Sequence, residues 1–241
     1  MHLLILASGR GSRLKKATSK HPKCFVKVKQ KKIIDYIAEN FYKFEDIIIA
    51  TGYKSSLLKK KFPQAKFAHN KYYLTTNMVY SMFCSSSLIK KDVIVSYSDI
   101  IFDPLIINKM INFKPTHMPL FKNWEKYWKK RMKTKDINFD AENLITKKNK
   151  ILSIGEKILD KRPRLQFMGL IRLKYNDFFK LKKFFNKINK PKIDMTSFIN
   201  LAINNKVISM NFFETSKFWF EIDNQIDKKV AEKMLKKIKF K

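Results

Sequence analysis

Leu4-Ile5-Leu6-Ala7-Ser8-Gly9-Arg10-Gly11-Ser12-Arg13-Leu14 decides the fold, together with Pro22-Lys23 nine residues past Arg13. Leu3–Ala7 is continuously apolar, as expected of a strand covered on both faces. It delivers a loop whose glycines, Gly9 and Gly11, let backbone N–H groups approach an anion closely. Arg13 and Lys23 add cationic side chains suited to a polyphosphate. No Gly-Lys-Ser/Thr closes the loop, so it is not a P-loop, and the third glycine of a dinucleotide fingerprint is missing. The glycines alone would also fit a tight strand-to-helix turn with two solvated cations. Arg13 and Pro22-Lys23 in register favour the anion site.

Outward from this loop, strand-like runs alternate with helical ones. Phe25–Val28, Asp46–Thr51, Lys66–His69 and Asp92–Tyr97 read as strands. Ile33–Phe44, with Ile34, Ile37, Ala38 and Phe41 on one face, Ser55–Phe62 and Asn77–Leu88 read as helices. This alternation predicts βαβ units and a mostly parallel sheet. From about Thr116 to Pro163 the pattern changes to short pieces, Ile137–Phe139, Asn143–Ile145 and Ile151–Ile154, preceded by Trp124, Tyr127 and Trp128 among lysines. We expect an antiparallel insertion here, covering the C-terminal edge of the sheet. Gln166–Leu173, Val207–Phe212 and Trp219–Ile222 read as strands, and Phe178–Ile188, Ser197–Asn204 and Gln225–Ile238 as helices. A single α/β domain over 1–241, with the insertion at about 116–163, is expected.

Composition narrows the function. The 241 residues carry 45% hydrophobic side chains, too apolar for disorder. Two cysteines, Cys24 and Cys84, exclude a disulfide framework and a cysteine-rich zinc site. Cys24 reads as a packing residue, since no adjacent histidine activates it. No apolar run reaches a membrane span, and the opening MHLLILASG lacks a basic leader, so a soluble, cytoplasmic protein is expected. The net charge of +32 comes from 46 lysines and only six arginines. Arginine is the bidentate reader of phosphates and guanines, and its scarcity argues against nucleic acid as partner. Runs such as Lys15–Lys32, Lys129–Lys135, Lys180–Lys192 and Lys228–Lys241 read as solvated faces, the alternative being a basic surface with a polyanionic partner.

The opening loop resembles that of the sugar-phosphate nucleotidyltransferase family, a small-residue strand followed by GxG(S/T)R and a downstream Pro-Lys. The resemblance extends over nearly the whole chain, through Thr51-Gly52-Tyr53, Ser98-Asp99-Ile100 and Trp219-Phe220-Glu221-Ile222-Asp223. Asn77-Met78-Val79-Tyr80-Ser81, Asp140-Ala141-Glu142, Gln166-Phe167-Met168-Gly169-Leu170 and Asp194-Met195-Thr196 are similar to segments of the phosphocholine and phosphonate cytidylyltransferases. Ser8 replaces the usual alanine, and Lys16 the proline common after Arg-Leu. The implied fold is a Rossmann-like, GT-A-like mixed sheet flanked by helices.

The resemblance implies a site. Leu6, Ala7, Ser8, Gly9, Gly11, Ser12, Arg13, Lys23, Gly52, Asn77 and Ser81 would border the nucleotide, Arg13 and Lys23 acting catalytically on its phosphates. Asn77 alternatively just caps its helix. Asp99 and Asp223 would hold Mg²⁺, whose charge lets one phosphate attack another. Asp223 is also placed to cap the terminal helix, while Asp103 and Asp227 read as turn and helix-surface residues. Lys157, in Gly155-Glu156-Lys157, would grip the acceptor's phosphate. Asp140, Glu142 and Trp219 would face its organic end, with Trp124, Tyr127 and Trp128 completing a cation–π wall if that end is cationic; the alternative, commoner for such aromatics, is that these rings are core or cover residues.

The implied activity is Mg²⁺-dependent transfer of CMP from CTP to a small phosphate or phosphonate acceptor, with release of pyrophosphate. Phosphocholine, 2-aminoethylphosphonate, or a phosphorylated amino acid or amide would fit. A uridylyl- or guanylyltransferase acting on a sugar 1-phosphate is the alternative within the fold. A non-catalytic basic nucleic-acid-binding protein is the alternative outside it. A homodimer is left open.

Overall fold

The computed structural model describes residues 1–14 and 16–238, without the side chains of residues 16 and 17. The side chain of Lys16, where the sequence departs from the family, and residues 239–241 of the Lys228–Lys241 run lie outside the described part. The first strands are β1 (His2–Ala7), β2 (Lys27–Val28), β3 (Lys31–Lys32), β4 (Asp46–Thr51), β5 (Lys66–His69), β6 (Val93–Tyr97) and β7 (Ile100–Phe102). Then come β8 (His117–Phe121), β9 (Glu142–Lys147), β10 (Lys150–Lys157), β11 (Gln166–Phe167), β12 (Leu170–Leu173), β13 (Asn211–Thr215) and β14 (Trp219–Glu221). The helices are α1 (Lys16–Ser19), α2 (Ile33–Ala38), α3 (Ser55–Lys61), α4 (Met78–Cys84) and α5 (Pro104–Asn112). They continue with α6 (Trp124–Arg131), α7 (Ile137–Asp140), α8 (Tyr175–Ile188), α9 (Met195–Asn204) and α10 (Gln225–Leu235).

One mixed sheet runs β5-β4-β1-β6-β12-β8-β13-β10-β9, with β11 paired to β8. Its first four strands are parallel. β12 runs antiparallel to β6, β8 and β13 form another parallel pair, and the β9–β10 hairpin forms the far edge. Two small antiparallel pairs, β7–β14 and β2–β3, stand apart. Strand alternation explains why β1 is apolar throughout. Leu3, Ile5 and Ala7 join the core on one face of the sheet, and Leu4 and Leu6 the core on the other.

The sheet also sets where chemistry can happen. β1 and β6 are parallel neighbours with Leu6 opposite Tyr97, so the loops that follow them leave the same edge side by side. That edge, at the carboxyl ends of parallel strands, is where such sheets bind ligands. The β7–β14 pair then carries the C-terminal segment there. Ile100 pairs with Glu221, and the Ile222 N–H donates to the Asp99 carbonyl at 2.9 Å.

Several sequence expectations are corrected. The segment from Thr116 does not open an inserted subregion, because His117–Phe121 is a fully buried strand within the main sheet. Pro119 disguises it, since a proline cannot donate to a ladder. Here the ladder beside it is broken, β11 covering only Leu120 and Phe121 and β12 only His117. Trp124–Arg131 is a helix, and only the β9–β10 hairpin has the expected antiparallel form. The helix read over Ile33–Phe44 stops at Ala38, because the chain turns to bring the Glu45 N–H onto the Met1 carbonyl beside β1. Gln166–Leu173 splits at Met168-Gly169, where Gly169 takes a φ of +70°. Phe25 lies in a 3-10 turn that precedes β2. The strand read at Val207–Phe212 forms at Asn211–Thr215, since the Val207 N–H still bonds the Ala202 carbonyl of α9.

Candidate active site

The loop after β1 is shaped around one lysine. Gly11 has a φ of +71°, and a Cβ there would lie 2.7 Å from the Cβ of Lys23. Only glycine meets both demands. Lys23 follows Pro22 in a 3-10 turn, and its side chain is 13% exposed. Its ammonium donates to Asp99 Oδ2 at 2.5 Å and also to Asp223 Oδ1. Arg13, largely exposed, reaches Asp223 Oδ1 at 3.0 Å. Lys23 is buried, which alone would lower its pKa, yet the two carboxylates hold it well above the usual lysine range. Asp223 is likewise buried, but Lys23 first and Arg13 after it hold its carboxyl below the usual range.

Asp99 and Asp223 thus share one cation, although 124 positions separate them in the sequence. Asp99 Oδ1 is buried without a hydrogen-bond partner. Two carboxylates with a spare buried oxygen suit a small hard cation, which commonly takes one or two protein carboxylates and completes its shell with phosphates and water. The capping role considered for Asp223 belongs instead to Asn224, whose Oδ1 accepts from Ile226 and Asp227.

Beside this cluster lies a cleft of about 150 Å³. Leu6, Ser8 and Gly9 form one side of it, Asn77, Met78 and Ser81 another, and Tyr97, Ser98 and Asp99 a third. Gly52 supports it from behind, since a Cβ there would strike the Tyr73 side chain at 2.6 Å and the Ser8 carbonyl at 2.7 Å. Asn77 is both wall and cap. Its Oδ1 accepts from the Met78 N–H, and its Nδ2 donates to the Lys192 carbonyl at 3.3 Å. Asn70, missed in the sequence, is fully buried and donates to Thr76 Oγ1 and Ser81 Oγ, both at 2.9 Å, which fixes that wall. Ala7 is buried at the strand end, while Ser12 is exposed beside Arg13.

Comparison with known proteins places this arrangement. A MobA-like NTP transferase domain matches residues 3–118. The chain is 31% identical to the CTP:phosphoglutamine cytidylyltransferase of Campylobacter jejuni over 252 residues, covering 95% of this chain and 98% of that one. The chain belongs to the nucleotidyltransferase family, in its cytidylyltransferase branch. It is also 37% identical to the choline-phosphate cytidylyltransferase of Streptococcus pneumoniae over 103 residues, 40% of this chain and 42% of that one. Among solved structures, the inositol-1-phosphate CTP transferase of T. maritima superposes with a TM-score of 0.77 at 18% identity, over 99% and 98% of the two chains. The CTP:phosphocholine cytidylyltransferase of Streptococcus pneumoniae gives 0.77 at 22% identity, over 97% and 98%.

The far side of the cytidylyltransferase cleft is acidic. Tyr97 is half-buried, and its phenol is raised well above its ordinary pKa, first by desolvation and then by Asp99, Glu142, Glu221 and Asp194 around it. Glu142 begins β9 directly opposite Lys157 at the end of β10, so the hairpin register brings two of the expected acceptor residues together. Glu142 Oε1 accepts from Thr196 Oγ1 at 2.7 Å, and its pKa is pushed up, mainly by burial. Asp194 caps α9 and accepts from both Thr196 and Ser197. Lys157 is exposed. Asp140 is exposed too, with Oδ2 accepting from the Trp128 indole at 2.7 Å.

The aromatic wall is not formed. Trp124, Tyr127, Trp128 and Trp219 are all less than 5% exposed. Trp219 stacks on Trp128 with centroids 5.6 Å apart, and its N–H is committed to the Met168 carbonyl at 2.9 Å. These rings are core, as large aromatics at helical spacing most often are. Asp227, read as a helix-surface residue, is fully buried and ion-paired with Arg131. Glu221, within the Trp219–Asp223 segment, carries no sequence signal of its own. It lies beside Asp223, and burial and that neighbour push its pKa up.

Proposed function

We propose that this enzyme transfers CMP from CTP to a small acceptor bearing a phosphate or phosphonate and a protonated amine. An ionised acceptor oxygen attacks the α-phosphorus in line. The new P–O bond forms as the bond to the β-phosphate oxygen breaks, and pyrophosphate leaves with that electron pair. No general base is needed, because the acceptor oxygen carries no proton to remove. Catalysis is positioning and charge neutralisation. Lys23 and Arg13 hold the triphosphate and the departing pyrophosphate, and Lys157 holds the acceptor's anion. Asp99 and Asp223 would hold a Mg²⁺ ion, which supplies neutralisation of the crowded phosphate oxygens when bound.

The observation that carries this is the gathering of both carboxylates on Lys23, beside the glycine loop and the cleft. The choice of a protonated amine rests on the acidic far side. Glu142 and Asp194 offer carboxylate acceptors for N–H donors, whereas a quaternary ammonium would ask for an open aromatic face. Phosphorylated amino acids and 2-aminoethylphosphonate therefore suit the site better than phosphocholine. The test is pyrophosphate release with Mg²⁺ and each of CTP, UTP, GTP and ATP, against these acceptors and glucose 1-phosphate. Release with CTP and an amine-bearing acceptor is expected. Release with UTP or GTP and glucose 1-phosphate would replace this function with the sugar-phosphate one.

A further inference from the structure

Asp227 is 0% exposed at the start of α10. A capping box accounts for one of its contacts, the Asn224 N–H donating to Oδ2 at 3.1 Å. It does not account for the rest. The Asp223 N–H also donates to Oδ2, at 2.9 Å. Arg131, from the end of α6, clasps the same carboxylate with Nε to Oδ1 at 2.8 Å and Nη2 to Oδ2 at 3.2 Å. Its remaining arm reaches Glu221 Oε2 at 3.3 Å, and its guanidinium lies 4.8 Å from the Trp128 ring centre and 5.3 Å from that of Tyr127. A buried carboxylate without a partner is costly, and so is a buried guanidinium, so each requires the other. Capping a helix needs neither to be buried.

We propose that Asp227 and Arg131 are positioning residues that aim the Asp223 carboxylate at its cation. The chain from Glu221 to Asp223 is held on one side by Lys23 and Arg13, which face substrate. On the other it is held by this buried pair, which touches neither substrate nor cation. Asp227 fixes the peptide plane from which the Asp223 side chain projects. Arg131 fixes Asp227 and neutralises the acidic cluster of Glu221 and Asp227 behind the site. Tyr127 and Trp128 of α6, for which an acceptor-facing role was the alternative to a core one, form the wall that seats this guanidinium. Outer partners of this kind commonly change metal affinity or activity by roughly 10- to 100-fold when altered.

This inference rests on Asp223 being a cation ligand, and the experiment separates the two. Mn²⁺ binding without nucleotide is measured by electron paramagnetic resonance on the whole chain, for wild type, Asp223→Ala, Asp227→Asn, Arg131→Lys and Asn224→Ala. Kinetics with CTP run alongside. Asp227→Asn is expected to weaken Mn²⁺ binding by about 10-fold or more and to lower kcat in parallel, with KM for CTP changing less. Arg131→Lys, which keeps the charge but not the fork, is expected to fall between wild type and Asp227→Asn. Asn224→Ala removes the cap side chain but leaves the Asp223–Asp227 contact, so it should lower the melting temperature with Mn²⁺ binding unchanged. If Asp227→Asn fails to fold by circular dichroism, Arg131→Lys carries the test. Wild-type Mn²⁺ affinity in the folded Asp227 and Arg131 variants would overturn the inference, as would an equal loss in Asn224→Ala. Wild-type affinity in Asp223→Ala would instead overturn the ligand reading beneath it.

Discussion

The proposed nucleotide side and the proposed acceptor side of the cleft are built on different principles. On the nucleotide side, parallel strands β1 and β6 end together, and Lys23, Arg13, Asp99 and Asp223 hold one another in a closed set of ion pairs. On the acceptor side, Lys157 at the end of β10 and Asp140 at the end of α7 are exposed, and Glu142 is half-buried and tied to Thr196. The difference separates chemistry from choice. Transfer from a nucleoside triphosphate demands the same charges whatever the acceptor, so those charges are fixed by backbone register. In the proposed assignment, acceptor recognition rests on a few side chains at a sheet edge, which can change without disturbing the catalytic set.

The largest expected effect lies on the fixed side. Lys23→Ala should lower turnover by roughly 10²- to 10³-fold while circular dichroism shows the fold retained, since it removes a preorganised charge from the transition state. Turnover near wild type would mean that the ion-paired cluster is structural, and the contrast between the two sides would collapse. Next in size is the acceptor side. Lys157→Ala should raise KM for the acceptor about 10-fold, with KM for CTP unchanged, as loss of uniform binding to one substrate does. Glu142→Gln should erode, by about 10-fold, the preference for an amine-bearing acceptor over its amine-free analogue. A change in KM for CTP in either variant would show that the two sides are not separable.

A smaller effect concerns β8, which lies between the two sides. His117 is fully buried, its Nδ1 lies 2.6 Å from the Pro115 carbonyl, and its Nε2 has no partner. Burial lowers its pKa from 6.5 to about 4. Between these values the unfolded chain binds more protons than the folded one, so stability falls as pH drops through that window and is complete above it. The cost is about 3 kcal/mol at the low end, measured as the difference in urea unfolding between wild type and His117→Phe at pH 7 and at about pH 4.5. A wild type and variant with the same pH dependence would remove His117 from this role. The smallest expected effect is a null one. The Cys24 thiol, buried and pushed up to about 12, should resist alkylation in the native chain at about pH 8 and react only on unfolding.

The two sides also differed in how far they could be read from sequence. The nucleotide side was legible because each determinant is local: an apolar run, two glycines, a Pro-Lys, and an aspartate at a strand end. Even so, the meeting of Asp99 and Asp223 came from resemblance, since their pairing depends on the long-range β7–β14 register. The acceptor side was less legible. Trp124, Tyr127 and Trp128 among lysines look the same whether the helix turns its rings inward or outward, and only tertiary packing chose inward. Asp227 looked like a surface residue because its partner Arg131 lies 96 positions earlier. Asn70 gave no signal, as its role is to fix Thr76 and Ser81 rather than to touch a ligand. Pro119 hid a central strand because the gap in the neighbouring ladder that tolerates it is made by distant residues.

The most direct measurement is phosphorus NMR of the products formed from CTP, Mg²⁺ and an amine-bearing phosphate or phosphonate acceptor. Expected are pyrophosphate and, in equal amount, a pair of coupled resonances from a CMP unit joined through oxygen to the acceptor, both lost in Lys23→Ala and Asp99→Ala. Pyrophosphate accompanied by free CMP, or linkage that persists in those two variants, would contradict the assignment of transfer to this cluster.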